Sequence, residues 1–420
     1  VVVLDTSVLL AEGKRVLYRF PDTTVVIPMT VIKELEDKKS TPDLMRPARS
    51  VFRAIDEIKG DLPANEIAKG IPFGENSILR IEPNNTGNAT LNDDKIVNVA
   101  SHLNDSDDNV TLATRDLSLA LKANIRGINT TNADYDPEAR KFIDKVETLQ
   151  VDWEQLDELY DKGSVRLDLD VPLNTGIVLE SGTSGSLVIA KSNYSFETVG
   201  DQKIVVPGMI NVSGKSKEQK IAISLLKDNS IKFVSLGGIA GGGKTMLALA
   251  QGAAEVLGGN DYKKITVFRS MQSVGGEEMG FLPGTEAEKM DPWTAAIYDS
   301  LGAFMNTSDI NKLKTRNAIE VLPITHVRGR TFNSSWIIVD EAQNLEKSTL
   351  LTLLTRVGSS SKIIMTHDIS QRDNHRVGRY GGIYEVVSRF HGNKLFGHVS
   401  MQKSERSLLA QTATELLDDF

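Results

Sequence analysis

Gly238-Ile239-Ala240-Gly241-Gly242-Gly243-Lys244-Thr245 fits the pattern G-x-x-x-x-G-K-[ST] at every position. An apolar run, Phe233 to Leu236, precedes it, and a helix-forming stretch from Met246 to Val256 follows. Strand, glycine turn and helix in that order are the context a phosphate-binding loop requires. The glycines let backbone N–H groups curl around phosphate oxygens, and the helix N-terminus adds its positive end. Lys244 supplies a point charge to the β- and γ-phosphates, and the Thr245 hydroxyl can ligate Mg²⁺. Gly238 to Met246 is therefore the expected nucleotide-binding set.

Outward from this loop, Trp336-Ile337-Ile338-Val339-Asp340-Glu341 is an apolar strand ending in two acids. Asp340 is expected to hold the ion and Glu341 to polarise the attacking water. Asp340-Glu341-Ala342-Gln343 resembles the DEAQ-type box of superfamily-1 helicases. Thr366-His367-Asp368-Ile369-Ser370-Gln371 resembles their GDxxQ element, which makes Gln371 a candidate reader of the γ-phosphate. Upstream, Ser216-Lys217-Glu218-Gln219 has capping-box spacing. Gln219 either caps a helix or reads adenine.

The 420 residues suffice for about three domains at roughly 150 residues each. From Val1 to about residue 135, short apolar strands (VVVLD, TVVIP, NVTLATRD) alternate with helical patterns (VIKELEDKK, MRPARSVFRAIDEI, DKIVNVASHL), which predicts an α/β domain with a parallel sheet. Residues 136–209 change character. Trp153 to Tyr160 reads as an amphipathic helix, and Val165 to Val171 alternates as a half-exposed strand. Gly- and Ser-punctuated pieces follow, so this is a small β-rich connector: a spacer, or a nucleic-acid-binding barrel. From 210 to 420 strands and helices alternate again, with IKFVSLGG, KKITVFRS, SWIIVDE and KIIMTHD as strands.

Composition narrows the classes. Hydrophobic residues make up 40% and charged residues 25%, with a mean hydropathy of -0.19, which excludes a disordered chain. No apolar run is long enough to span a membrane. Cysteine is absent, so disulfides and thiolate metal sites are excluded. The six histidines are scattered, and any metal should be a hard ion held by carboxylates. The short, quickly acidic start and the lack of cysteine suggest a cytoplasmic protein. A net charge of -8 argues against a uniformly basic nucleic-acid binder while leaving room for a basic groove.

Four acids of the first part stand where a parallel sheet collects ligands. Asp5 ends the first strand, Glu34 lies early on the next helix, Asp93 opens DKIVNVASHL, and Asp116 ends VTLATR. Convergent carboxylates repel unless a cation sits among them, so Mg²⁺ or Mn²⁺ is expected there. Taken singly, Asp93 could be an N-cap, and Glu34 and Asp116 could be solvated.

Two resemblances follow. Gly276-Glu277-Glu278-Met279-Gly280-Phe281-Leu282-Pro283-Gly284, Arg328-Gly329-Arg330-Thr331-Phe332 and Leu353-Leu354-Thr355-Arg356-Val357-Gly358, with the motifs above, resemble the PhoH family of P-loop ATPases over residues 210–420. Val3-Leu4-Asp5-Thr6-Ser7, Glu34-Leu35, Asp93-Asp94 and Thr114-Arg115-Asp116 resemble a PIN domain, a metal-dependent ribonuclease fold, over residues 1–135. Either Asp93 or Asp94 can be the third PIN carboxylate, with Asp93 preferred. The combined resemblance implies an ATP-dependent RNA helicase coupled to a Mg²⁺- or Mn²⁺-dependent endoribonuclease. Its rivals are an ATPase switch whose PIN domain only binds RNA, and a DNA helicase–nuclease. Arg269, Arg328 and Arg330 are the expected RNA contacts. One P-loop in about 210 residues leaves room for one ATPase core. A neighbouring chain would then complete the site, and the resemblance suggests a six-membered ring. Arg356 or Arg406 would reach the γ-phosphate from that neighbour.

Overall fold

The computed structural model describes residues 1–40, 44–74, 76–83, 89–105, 109–131, 142–192, 194–207, 209–259, 261–269, 286–369, 371 and 382–404. The chain divides into two compact units, Val1–Asp136 and Pro137–Phe420.

The first unit is built on six strands: β1 (Val2–Leu4), β2 (Thr24–Pro28), β3 (Ile71–Phe73), β4 (Ser77–Glu82), β5 (Thr111–Ala113) and β6 (Asn129–Thr131). Their order is β3-β4-β2-β1-β5-β6. Only β3 runs antiparallel to its neighbour. β1 is apolar throughout because helices cover both faces of the sheet, and Val3 and Leu4 are wholly buried. Helices Met29–Lys38, Asn92–Asn104 and Leu117–Ile125 each start at the strand-end edge. This brings Asp5, Glu34, Asp93 and Asp116 toward one side.

The second unit opens with a small sheet: β7 (Thr148–Gln150), β8 (Ser164–Arg166), β9 (Gly176–Ser181), β10 (Ser184–Ser192) and β11 (Ser195–Thr198), in the order β7-β9-β10-β11-β8. Helix Trp153–Lys162 closes over it through Leu156 and Leu159, and a left-handed Gly163 ends that helix. The alternation from Val165 survives in burial, with Leu167 buried and Asp168 exposed. The ladder itself stops at Arg166, because its partner strand begins at Ser195. A two-strand pair, β12 (Lys203–Ile204) and β13 (Val212–Ser213), leads onward. Ile189, Val199 and Ile204 share one core with helix Lys217–Lys227. The Asn174 amide donates to the Phe396 carbonyl at 2.8 Å, so the small sheet is fastened to the P-loop half of the unit.

That half holds β14 (Phe233–Gly238), β15 (Lys264–Arg269), β16 (Ile319–Pro323), β17 (Ser335–Asp340), β18 (Lys362–Thr366) and β19 (Phe396–Met401). All six are parallel, in the order β16-β15-β17-β18-β14-β19. The central strands β17 and β18 are buried at every position, as two-sided helix cover demands. Their carboxyl ends and that of β14 meet along one edge, where ligands bind in such sheets.

Candidate active sites

The loop after β14 closes on the N-terminus of helix Lys244–Leu257. Gly238 has φ +105° and Gly243 φ +88°. A Cβ on Gly238 would lie 2.1 Å from the Met401 carbonyl oxygen, so no larger residue fits this turn. The loop, with Met246, borders a pocket of about 340 Å³ whose other walls include Arg269, Asp340, Glu341, Thr366, His367 and Gln371. The Lys244 ammonium rests on the Gly238 and Ile239 carbonyls at 2.5 and 2.7 Å.

Asp340 organises the opposite wall. One carboxylate oxygen accepts from Thr245 at 2.8 Å and from Thr366 at 2.6 Å. The other lies 3.3 Å from the Arg269 guanidinium. Thr245 and Asp340 are hard oxygen donors in contact, the chemistry that suits Mg²⁺. Glu341 sits in the left-handed region at φ +56°, a strained conformation for a non-glycine residue. Burial and the adjacent Asp340 push its carboxyl up from the ordinary value, against the pull of Gln343, Arg269 and Lys244. A carboxylate so placed is a suitable base for a water.

Gln343, the last residue of the helicase-like box, has a larger role than the box alone implies. Its amide nitrogen donates to Glu341 at 2.6 Å and to the Gln371 carbonyl at 3.0 Å. Its oxygen accepts from the Asp368 N–H at 3.1 Å. One buried carboxamide thus joins the base to the loop after β18. His367 bonds Ser235 at 3.0 Å and stacks on His398. Burial, with His398 and Lys244 nearby, holds it well below its ordinary value, so the ring is neutral.

Gln219 is spent on backbone: it accepts from the Lys215 N–H at 2.8 Å and donates to the Gly242 carbonyl at 3.1 Å. The cap of its helix is Ser216, which accepts from the Gln219 N–H. Gln219 therefore braces the phosphate loop. Arg269 belongs to the nucleotide pocket rather than to an outer surface. Arg328 is exposed in the link between β16 and β17. Arg330 pairs with Glu320 at 3.5 Å and lies 5.0 Å over the Phe332 ring. Arg356 precedes β18, at the sheet edge opposite the P-loop, and its Nε is buried without a hydrogen-bond partner. It does not line the pocket of its own chain. Arg406, Gly276–Gly284 and Ser370 lie outside the described residues.

In the first unit Thr6 bridges two of the acids, Asp5 and Glu34. Asp5 accepts from the N–H of Thr6 at 2.6 Å, the Ser7 hydroxyl at 2.5 Å and the Thr114 hydroxyl at 2.8 Å. The Thr6 hydroxyl donates to Glu34, whose second oxygen accepts from Asn92 at 2.8 Å. Asp116 receives the N–H groups of Ser118 and Leu119 at 2.7 and 3.1 Å, capping its helix. Asp93 and Asp94 share Lys122, at 3.1 and 3.6 Å. Among the described residues no group of three or more acids or histidines stands close enough to hold one ion. The donor chemistry suits a hard cation, but the ammonium of Lys122 takes the place beside Asp93. Thr6 and Thr114 stand in two of the strings that carry the PIN resemblance, whereas Lys122 has no signal in the sequence.

Residues 211–418 match the PhoH-like protein family, and residues 2–134 match a PIN domain family. Over its full length the chain is 40% identical to Protein PhoH2 of Thermobispora bispora, spanning 96% of that protein. It is 38% identical to Protein PhoH2 of Mycolicibacterium smegmatis and 32% to that of Bacillus subtilis, spanning 97% and 99% of them. This chain belongs to the PhoH2 family. The PhoH2 architecture accounts for the two units: a PIN domain on the six-strand sheet of β1–β6, and a P-loop ATPase domain on that of β14–β19. Among the described residues, no helix of this PhoH2 chain is long and apolar enough to cross a membrane.

Proposed function

We propose that this PhoH2 chain is an ATP-driven RNA helicase coupled to an endoribonuclease. The observation that carries the reading is Asp340, which gathers Thr245, Thr366 and Arg269 beside Glu341. In that setting Lys244 leaves the loop carbonyls for the phosphates, Thr245 and Asp340 hold Mg²⁺, and Glu341 orients water. The ion, when bound, neutralises phosphate charge. Arg328 and Arg330 contact the RNA backbone. The single ATPase core favours a head-to-tail ring, six chains in number, in which Arg356 or Arg406 serves a neighbour's nucleotide. The setting is the cytoplasm.

In the PIN domain Asp5, Glu34, Asp93 and Asp116 would hold Mg²⁺ or Mn²⁺, which supplies an activated water when bound. Asp5 and Glu34 are already oriented by Thr6 and Thr114. The Lys122 clasp on Asp93 favours a second reading, an ATPase switch whose PIN domain binds RNA without cutting it. Labelled single- and double-stranded RNA, incubated with Mn²⁺ and with or without ATP, separates the two. Cleavage lost in Asp5→Asn but retained in Lys244→Ala on single strands supports the nuclease. RNA bound but uncut at every metal concentration supports the switch.

A further inference from the structure

Strand β15 is apolar from Ile265 to Phe268 apart from Thr266, and it ends in a charge, Arg269. Its register sets Arg269 directly across from Asp340 on β17. Opposed residues on neighbouring strands send their side chains to the same face. The guanidinium lies 3.3 Å from the Asp340 oxygen that Thr245 and Thr366 leave unused, and 4.0 Å from Glu341. Its side chain is 22% exposed and borders the nucleotide pocket. Among the described residues three carboxylates line that pocket, Asp340, Glu341 and Asp368, against two cationic side chains, Lys244 and Arg269. Lys244 has its task at the β- and γ-phosphates. Arg269 is a second cation at the same pocket with no task yet.

Adjacent acids repel, and Arg269 relieves that repulsion between Asp340 and Glu341. Once a divalent ion is shared by Thr245 and Asp340, the guanidinium 3.3 Å from that carboxylate faces a like charge. Arg269 then turns to the nearest remaining anion. Glu341 marks where that anion lies. A base reaches its water at about 2.6–3.2 Å, and the water stands about 3–3.5 Å from the atom it attacks. Arg269, beside Glu341, therefore borders the seat of the γ-phosphate. The guanidinium fork suits phosphate oxygens, and an arginine at this phosphate is worth about 10³–10⁵ in rate. We propose that Arg269 is this chain's own γ-phosphate arginine, held by Asp340 until the ion takes its place. The proposal rests on Glu341 as the base and on Thr245 and Asp340 as ion ligands. Arg269 acts inside one chain, whatever a neighbour contributes, and it separates ATP from ADP.

The test reads binding rather than turnover. In the full-length protein with Mg²⁺, calorimetric titration compares ADP with β,γ-imido-ATP, which is not hydrolysed. Arg269→Ala should keep the parent's ADP affinity within about two-fold and lose about ten-fold or more for the ATP analogue, the worth of one charge-assisted hydrogen bond. Arg269→Gln still offers Asp340 a donor and should lose the same preference. It covers the case that alanine disturbs the pocket, with ADP binding as the control for folding. Arg269→Ala chains mixed with Lys244→Ala chains should stay inactive, because each site lacks a cation of its own chain. An equal fall for ADP and the analogue would make Arg269 a brace for Asp340 and overturn the proposal. Turnover regained on mixing would overturn it too, as would unchanged nucleotide binding with weakened RNA binding. Lys244→Ala reports separately on the pocket. If it binds both nucleotides as the parent does, the ATPase reading of this pocket fails, whereas a parental ratio in Arg269→Ala sinks the arginine alone.

Discussion

At the scale of single residues, the nucleotide pocket separates binding from turnover. Lys244→Ala removes the only ammonium lining it among the described residues and should cut ATP turnover by about two orders of magnitude or more. Glu341→Gln keeps the volume but not the base, so it should retain nucleotide affinity while turnover collapses; a nucleotide-binding titration beside a phosphate-release assay checks both. The buried histidines give a pH dependence. Burial brings His398 down to about 3 and His391 to about 4, against an ordinary value of 6.5. The unfolded chain takes up protons near 6.5 while the folded one refuses them. Stability is therefore whole above about pH 6.5 and falls as pH drops toward 4. Melting temperatures between pH 7 and 4.5 should show this slope, and His398→Gln should flatten it. The phosphate loop was legible because its residues are contiguous. Arg269 and Thr366 meet Asp340 only through the order of the strands, and no spacing in the sequence states that order. The same holds for Thr114 beside Asp5 and for Lys122 beside Asp93.

At the scale of elements, burial decided which strands could be read in advance. β14, β17 and β18 are central and covered on both faces, so they are unbroken apolar runs. β16 and β19 lie at the sheet margins and carry Glu320 and His398, which interrupt the run. β3 and β4, with Pro72 and Arg80, were hidden for the same reason. β18 also carries a buried lysine at its start. The Lys362 ammonium donates to the carbonyls of Leu225, Leu226 and Asp228 at 2.9, 2.6 and 2.9 Å, closing the C-terminus of helix Lys217–Lys227. Burial pushes Lys362 down to about 7. Lys362→Met would take that donor from the Leu225 and Leu226 carbonyls, while Asp228 keeps the Ile231 N–H, and should cost about 1–3 kcal/mol in chemical denaturation, roughly the penalty for one such orphaned group.

For the whole molecule, the division at Asp136 and Pro137 matters more than the change of composition near residue 210. The small sheet covers helix Lys217–Lys227, and Gly176 lies so close to Ile221 that an added Cβ would meet it at 2.4 Å. A fragment starting at Pro137 should express as a soluble, cooperatively melting ATPase domain. One starting at Ile210 would bare Ile221 and Ala222 and should aggregate; size-exclusion chromatography of the two distinguishes them. Within the intact chain, the Gln343 carboxamide has a thermodynamic consequence. Because it grips Glu341 and the Gln371 backbone together, displacement of the segment after β18 does work on the base, and fuel consumption becomes throttled by whatever moves that segment. Under the proposed RNA-coupled function, Gln343→Leu should leave an engine that idles: turnover without RNA and with RNA should converge, and a persisting RNA stimulation would show that the throttle lies elsewhere.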